Sequence, residues 1–241
     1  MRGLAHIGII KALDDAGIRP AVVAGSSAGS VIGAAAAAGM RWEQLRELAC
    51  SVFWPRLLTR RGLEHFCSKH LPETFLDLSL PFAAIATELP AKQPITMIDG
   101  SLTSALSASC AMRGLRRSVV RNGDRLKDGG IACVLPARAC RELGADFVIS
   151  SDVWELSAIL RKLGVRLADP RAHRVYPAHY RSAVDNTDLL IQPFVPAAGY
   201  IPSRSAVDLM IEAGEHATLR ALTVLGSDEN LAAPFASRRL S

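Results

Sequence analysis

The stretch Ala21-Val22-Val23-Ala24-Gly25-Ser26-Ser27-Ala28-Gly29-Ser30-Val31-Ile32-Gly33-Ala34-Ala35-Ala36-Ala37-Ala38-Gly39 decides how the rest of the chain is read. Residues 21–24 are a short apolar run and predict a strand. Gly25-Ser26-Ser27 reads as a turn, and the Ala-rich segment from Ala28 to Ala38 predicts a helix that Gly39 stops. The turn contains G-x-S-x-G with Ser27 at its centre. A nucleophilic serine on a strand–turn–helix elbow needs small residues at the flanking positions, Gly25 and Gly29, so that the backbone can fold back on itself. The following helix, beginning at Ala28, then points free N–H groups and its positive dipole end at the serine. The competing explanation is a chance match in a segment rich in Gly and Ser. Between Pro20 and Met40 there is no charged residue, and Gly25, Gly29 and Gly33 have the spacing of a membrane-helix dimer face. The scarcity of large aliphatic residues argues against a membrane span.

Working outward, residues 3–16 predict a helix, with Ile9, Ala12, Leu13 and Ala16 on one face and Gly17 as its stop. Helices are expected at 42–49 and 62–70, with the mixed aromatic and Arg segment Phe53 to Arg61 as a cap or lid between them. Strands are expected at 81–87 and 95–98, a helix at 103–111, and a hairpin over 118–127 with Asn122-Gly123 at its tip. A helix at 136–143, strands at 146–150 and 189–192 and a helix at 203–222 complete the pattern. Strands alternating with helices predict an α/β sheet with helices on both faces. No linker divides the chain, so one domain is expected.

The chain has 241 residues, 49% of them apolar and 21% charged, which excludes a disordered class. The net charge of +5 favours anionic partners, yet no nucleic-acid module is present and a solvated basic surface is the simpler reading. The 5 cysteines, at 50, 67, 110, 133 and 140, are odd in number and include no C-x-x-C. Neither a zinc site nor a disulfide framework is therefore expected, and a reducing cytoplasm is the predicted setting. No cofactor motif is found. Lys11, Asp14 and Asp15 come too early for a secretory leader.

A nucleophilic serine needs a proton acceptor. His173 and His179 flank an Arg- and Tyr-rich loop with no motif around them, and His216 falls inside the last helix. The carboxylate option is Asp128 in Lys127-Asp128-Gly129-Gly130, where the glycine pair lets the backbone bend at the end of a hairpin strand. A plain Asp-Gly turn explains the same residues. Both kinds of base remain open on the residues alone.

Taken together, these segments resemble the bacterial esterase branch of the patatin-like phospholipase family. Arg2-Gly3-Leu4-Ala5-His6-Ile7-Gly8 is similar to the end of its glycine-rich oxyanion loop and first helix. Gly25 to Gly29 resembles its nucleophile motif, and Ser107-Ala108-Ser109-Cys110-Ala111 the helix before its hairpin. Asp128-Gly129-Gly130 resembles its Asp-Gly-Gly motif. Leu143-Gly144-Ala145-Asp146 and Ile211-Glu212-Ala213-Gly214 look like further family segments. The resemblance implies a three-layer α/β/α fold with a central, mostly parallel sheet, over residues 1–225, followed by a tail at 226–241. It implies a Ser27/Asp128 dyad without histidine, an acyl-enzyme, and a phospholipid, lysophospholipid or simple carboxylic ester as substrate. On this reading His6 is structural, and Arg2, Gly3, Gly25, Ala28, Gly29, Gly129 and Gly130 belong to the oxyanion and motif set.

The sequence departs from the family in two places. The family loop reads Gly-Gly-Gly-x-Arg-Gly after a hydrophobic strand, whereas this sequence begins at the x position with Met1. The expectation drawn from this is a gene product starting upstream of Met1; the alternative is a weak or inactive binding or regulatory protein on the same fold. A third reading is an ordinary Ser-His-Asp hydrolase. The second departure replaces the family's usual Pro with Met112-Arg113-Gly114-Leu115-Arg116-Arg117, read either as an entrance for anionic substrates or as a solvated face. Finally, Phe53, Trp54, Leu57 and Leu58 with Arg56, Arg60 and Arg61 are expected to touch the inner face of a membrane peripherally; the alternative is that the aromatics pack inward.

Overall fold

The computed structural model describes residues 2–112, 114–195 and 201–227. A single 3-10 turn, Arg2–Leu4, runs into α1 (Ala5–Asp15). β1 (Val23–Ser26) and α2 (Ala28–Ala37) are the strand and helix around Ser27. Three helices then form a cap: α3 (Trp42–Ser51), α4 (Trp54–Leu57) and α5 (Arg60–His70). β2 (Phe82–Leu89), β3 (Pro94–Met97) and α6 (Leu102–Ser109) follow, then the hairpin of β4 (Val119–Arg121) and β5 (Asp124–Asp128). The remainder is α7 (Ala137–Glu142), β6 (Ile149–Ser151), α8 (Glu155–Lys162), α9 (Ala172–Val175), α10 (Ala178–Asp185), β7 (Leu189–Ile191) and α11 (Arg204–Ser227).

β2 organises the sheet. Its residues alternate between two apolar layers, as a strand covered on both faces must. Phe82, Ala84 and Ala86 enter the main core, while Ala83 and Ile85 meet Ala139 of α7 on the opposite face. Helices therefore cover both faces, as expected. The sheet is mixed rather than mostly parallel. β1 is parallel to β2 and β6 to β7, but β3 and β5 run antiparallel to β2, and β4 antiparallel to β5. The reason is local: Asn122 and Gly123 adopt φ of 51° and 88°, the turn that reverses a chain in two residues, so β4 and β5 pair as a hairpin. β6 and β7 form a separate two-stranded sheet.

β1 begins two residues later than the apolar run at 21–24, because pairing with β2 spans Val23↔Phe82 to Ser26↔Ile85. The Arg- and Tyr-rich segment around His173 and His179 is not a loop. It forms α9 and α10, whose Ala172, Tyr180 and Ala183 join Leu160 and Tyr176 in a second apolar cluster. Buried Asp152 ties this cluster together, accepting hydrogen bonds from Trp154 N–H, Ser157, Tyr180 and Gln192. α1 lies against α11 almost backbone to backbone. A Cβ on Gly8 would stand 1.8 Å from the Ile211 carbonyl oxygen, and one on Gly214 would stand 1.9 Å from that of Ala5. Among the described residues no helix is long and apolar enough to cross a membrane. The expected tail at 226–241 lies, from residue 228 onward, outside the described residues.

Candidate active site

Two strands that approach from opposite directions build the site. Ser26, the last residue of β1, pairs with Ile85, and Asp128, the last of β5, pairs with the next residue, Ala86. β3 pairs with both Ile85 and Ala86 and so takes up one edge of β2 there. A strand has only two edges, so β1 and β5 share the other and meet end to end. Residues 101 positions apart in sequence are thereby delivered to one point, where Ser27 Oγ donates a 2.7 Å hydrogen bond to Asp128 Oδ2.

Each partner is held in a special backbone geometry. Ser27 has φ 52° and ψ −126°, a conformation that few non-glycine residues adopt and one that stores strain at a turn. It is the cap residue of α2, so the positive end of that helix faces its hydroxyl. Gly25 permits the fold-back, since a Cβ there would lie 2.4 Å from the Gly29 carbonyl oxygen. Gly29 is less constrained: its nearest neighbour would be His6 Nε2, at 3.4 Å. Ser109, at the end of α6, accepts the Ser27 N–H at 2.9 Å and pins the elbow from the other side. Asp128 Oδ1 accepts the Gly130 N–H at 3.0 Å. Thr87 Oγ1 donates to the Asp128 carbonyl at 2.8 Å and accepts the Ala132 N–H at 3.2 Å, which fixes the turn. Gly129 must be glycine, because a Cβ would sit 2.2 Å from the Ile85 carbonyl oxygen.

Asp128 is only 9% exposed. Burial raises its pKa above the ordinary carboxylate value, opposed by the Ser27 and Gly130 hydrogen bonds and by the charges of Arg116 and Lys127. It is thus a stronger base than a solvated aspartate while remaining hydrogen-bonded to the hydroxyl it faces. His6 stands beneath the elbow, its Nδ1 2.7 Å from Ser151 Oγ, and burial lowers its pKa to about 4. It is neutral at physiological pH. His179 lies tilted against Trp154, with ring centroids 6.3 Å apart, and His216 lies on α11. Arg2 is turned away toward α8, where it meets Glu155 at 3.1 Å. Among the described residues no cluster of three or more His, Cys, Asp or Glu could hold a metal ion.

An apolar cavity opens at Ser27. Gly3, Ala28 and Val31 line it near the elbow, and Trp54, Leu57 and Leu58 of the cap close it. This corrects the expectation for the cap segment: Trp54 is 8% exposed and faces inward, whereas Phe53 is 70% exposed. A hydrocarbon chain, rather than water, suits such walls. Thr87 is a site residue that sequence reasoning passed over, whereas Ser109 and Arg116 were read only as members of longer segments, without a place of their own in the site. The one available signal was polarity out of place: Thr87 in an otherwise apolar strand, and Ser109 in a helix of small residues.

Comparison with known proteins agrees with this architecture. The model for the patatin-like phospholipase family matches residues 1–92. An uncharacterized NTE family protein of Mycobacterium tuberculosis is 32% identical over 169 residues, which are 62% of this chain and 45% of that protein. Patatin-like phospholipase domain-containing protein 6 of Homo sapiens is 34% identical over 171 residues, 63% of this chain and 12% of that protein. The chain thus spans less than half the length of these relatives. The crystal structure of VipD from Legionella pneumophila superposes with a TM-score of 0.59 at 13% identity, covering 92% of this chain and 65% of that one, and so shares the fold. The chain is thus similar to the patatin-like phospholipase family over residues 1–92, and to these relatives over 169 and 171 residues.

Proposed function

We propose that the chain is a lipid acyl hydrolase that cleaves carboxylic esters through a Ser27/Asp128 dyad. The observation that carries this reading is the 2.7 Å hydrogen bond between Ser27 Oγ and Asp128 Oδ2 on a strained elbow at the mouth of an apolar cavity. Ser27 Oγ attacks the ester carbonyl while Asp128 takes its proton. The N–H groups that open α2 stabilise the negative oxygen of the tetrahedral intermediate. Collapse expels the alcohol, protonated by Asp128, and leaves the acyl chain on Ser27 within the cavity. Asp128, again a carboxylate, then deprotonates a water that attacks the acyl-enzyme, and it returns that proton to Ser27 Oγ as the acyl bond breaks and the fatty acid is freed. A fluorophosphonate probe should label the protein on Ser27, and Ser27→Ala should abolish both labelling and ester turnover. Labelling that persists on Ser26 or Ser30 would overturn the assignment.

Lipid substrates reside at an interface, and the cap offers the contact. Phe53 is exposed, as are Arg56, Arg60 and Arg61, although Arg60 is shared with Glu64 at 2.8 Å. Phe53 would enter the head-group zone of an anionic membrane face, with each free Arg adding about 1 kcal/mol that salt screens. Phe53→Ala and Arg56→Ala/Arg61→Ala should each reduce co-sedimentation with anionic vesicles at low salt. Binding unchanged in both variants would remove the cap from the interface.

A further inference from the structure

A second cavity lies in the cap, against the wall that closes the Ser27 cavity. It has a volume of about 380 Å³ and sits between the end of α3, α4 and α5. That size falls within the range of small-molecule sites, about 300–1,000 Å³. Leu48, Val52, Leu57, Phe66 and His70 line both cavities, so the two share a wall. Two kinds of side chain meet around the second one. Leu48, Val52, Phe53, Leu57 and Phe66 are apolar, whereas Arg56, His65, Lys69 and His70 are cationic or become so on protonation. Gly62, His65, Phe66, Lys69 and His70 recur at the spacing of a single helical face, so α5 turns its basic stripe toward the cavity. Among the described residues no carboxylate lines it. None of the ion pairs among the described residues includes any of the four basic side chains. Glu64, the acidic residue of α5, is taken by Arg60 at 2.8 Å and by Ser107 at 3.1 Å instead.

Like charges gathered at one concave surface repel, and the effect is visible at His70. Burial holds its pKa below the ordinary histidine value, and the charges of Lys69 and His65 press it lower still. The negative end of α5 favours Lys69 and His70 in its last turn, but His65 lies a turn earlier and Arg56 belongs to another helix. An anion entering the cavity would relieve the repulsion, and the apolar residues opposite would take a hydrocarbon chain out of water. The arrangement thus fits an amphiphilic anion, one head and one chain, and not a polar anion alone. Neither Arg56, His65 nor Lys69 lines the Ser27 cavity, so this is not the place of ester cleavage. The reaction proposed above supplies a molecule of this kind next to it: a fatty acid, ionised near neutrality as carboxylic acids are, freed behind the shared wall.

We propose that the cap cavity is a second, non-catalytic site that holds the carboxylate of a free fatty acid on Arg56, His65 and Lys69, with its chain against Val52, Phe53 and Phe66. The choice of a carboxylate rests on the hydrolase reading; the cavity and its charge do not. The test is calorimetry on the full chain carrying Ser27→Ala, with decanoate and decanol as probes, each below the concentration at which it aggregates. The two have the same chain length and differ in the carboxylate. Decanoate should bind about tenfold more tightly, the scale of a hydrogen bond to a charged group partly open to water. The preference should weaken as salt rises. His65→Gln/Lys69→Met should bring the ratio close to one. Equal binding of the two probes, or a preference that His65→Gln/Lys69→Met leaves intact, overturns the site and returns the basic stripe to a solvated face. Binding confined to decyl phosphate would make it a lipid head-group site and likewise overturns the proposal. A second measurement separates the two cavities. Unmodified protein labelled on Ser27 by a long-chain alkyl fluorophosphonate, whose chain fills the Ser27 cavity, should still prefer decanoate; loss of that preference on labelling places the carboxylate at Ser27 and overturns the proposal. A preference carried by His65 and Lys69 in a protein that the fluorophosphonate does not label would instead refute the hydrolase reading alone.

Discussion

At Asp128 two demands on one side chain conflict. The reaction needs a carboxylate, whereas burial favours the acid, and the net result is a pKa above the ordinary aspartate value. Between the ordinary value and the raised one, the folded chain holds a proton that the unfolded chain has released. Its stabilising effect is therefore complete below the ordinary pKa and is lost as pH rises through the raised one. Activity follows the opposite course, since only ionised Asp128 accepts the Ser27 proton. The pH profile of kcat/KM should rise through this raised pKa and then level off, because burial lowers the His6 pKa to about 4 and its ring adds no step near neutrality. Asp128→Asn should lower turnover by about 10²–10⁴. At neutral pH its melting temperature should equal or exceed that of the unmodified chain, as measured by thermal denaturation across pH. A clear loss of stability would show that the carboxylate's hydrogen bonds to Ser27 and Gly130 outweigh its burial.

At the scale of elements, the site depends on ends rather than on middles. β1 stops at Ser26, β5 stops at Asp128 and α6 stops at Ser109, and the three ends meet. Ser109 touches neither proton nor substrate in the proposed reaction; it positions Ser27 through the 2.9 Å bond to its N–H. Ser109→Ala leaves that N–H without its acceptor. It should reduce kcat about tenfold with little change in KM, since a single buried hydrogen bond of this kind is worth about 1–2 kcal/mol. Ser109→Thr, which keeps the hydroxyl, should recover part of the loss. Much of this element pattern was legible in the sequence. The helix stops at Gly17 and Gly39, the Asn122-Gly123 reversal and the elbow at Ser27 are all local signals, and each lies where it was expected. α8 to α10 were missed. Leu156, Ile159, Leu160 and Leu163 do carry helical spacing, but the Arg-rich, Pro-broken run that follows gave no continuous period to read.

Over the whole molecule, the sheet with α2, α6 and the cap forms one apolar body around the cavity, while α8 to α10 gather around Asp152 in another. α1 and α11 run together through Gly8 and Gly214, and Ile9, Ala217 and Ile191 join their faces to β7. That contact leaves no room for a side chain. Gly8→Ala should force the two helices apart and destabilise the chain by about 1–3 kcal/mol, seen as a lower denaturation midpoint. Because α1 also carries His6 beneath the elbow, fluorophosphonate labelling of Ser27 should slow in the same variant. An unchanged midpoint would mean that the helices separate freely and that their close approach is incidental.

What the sequence by itself determined is what depends on neighbours a few positions away. The strand–turn–helix around Ser27, the hairpin, the Asp-Gly-Gly turn and the alternation that buries β2 on both faces all follow from local sterics and side-chain period. What only the tertiary structure decided is which of these meet. Pairing Ile85 with Ser26 and Ala86 with Asp128 is a matter of strand register. Register is set by packing both faces of β2 at once, and no local pattern encodes it. The same is true of Arg116, read in sequence as one of several Arg residues in a run. Its place in the cavity wall is set by the carbonyls of Leu57 and Leu58, more than fifty residues away, which the fold of the cap brings to it.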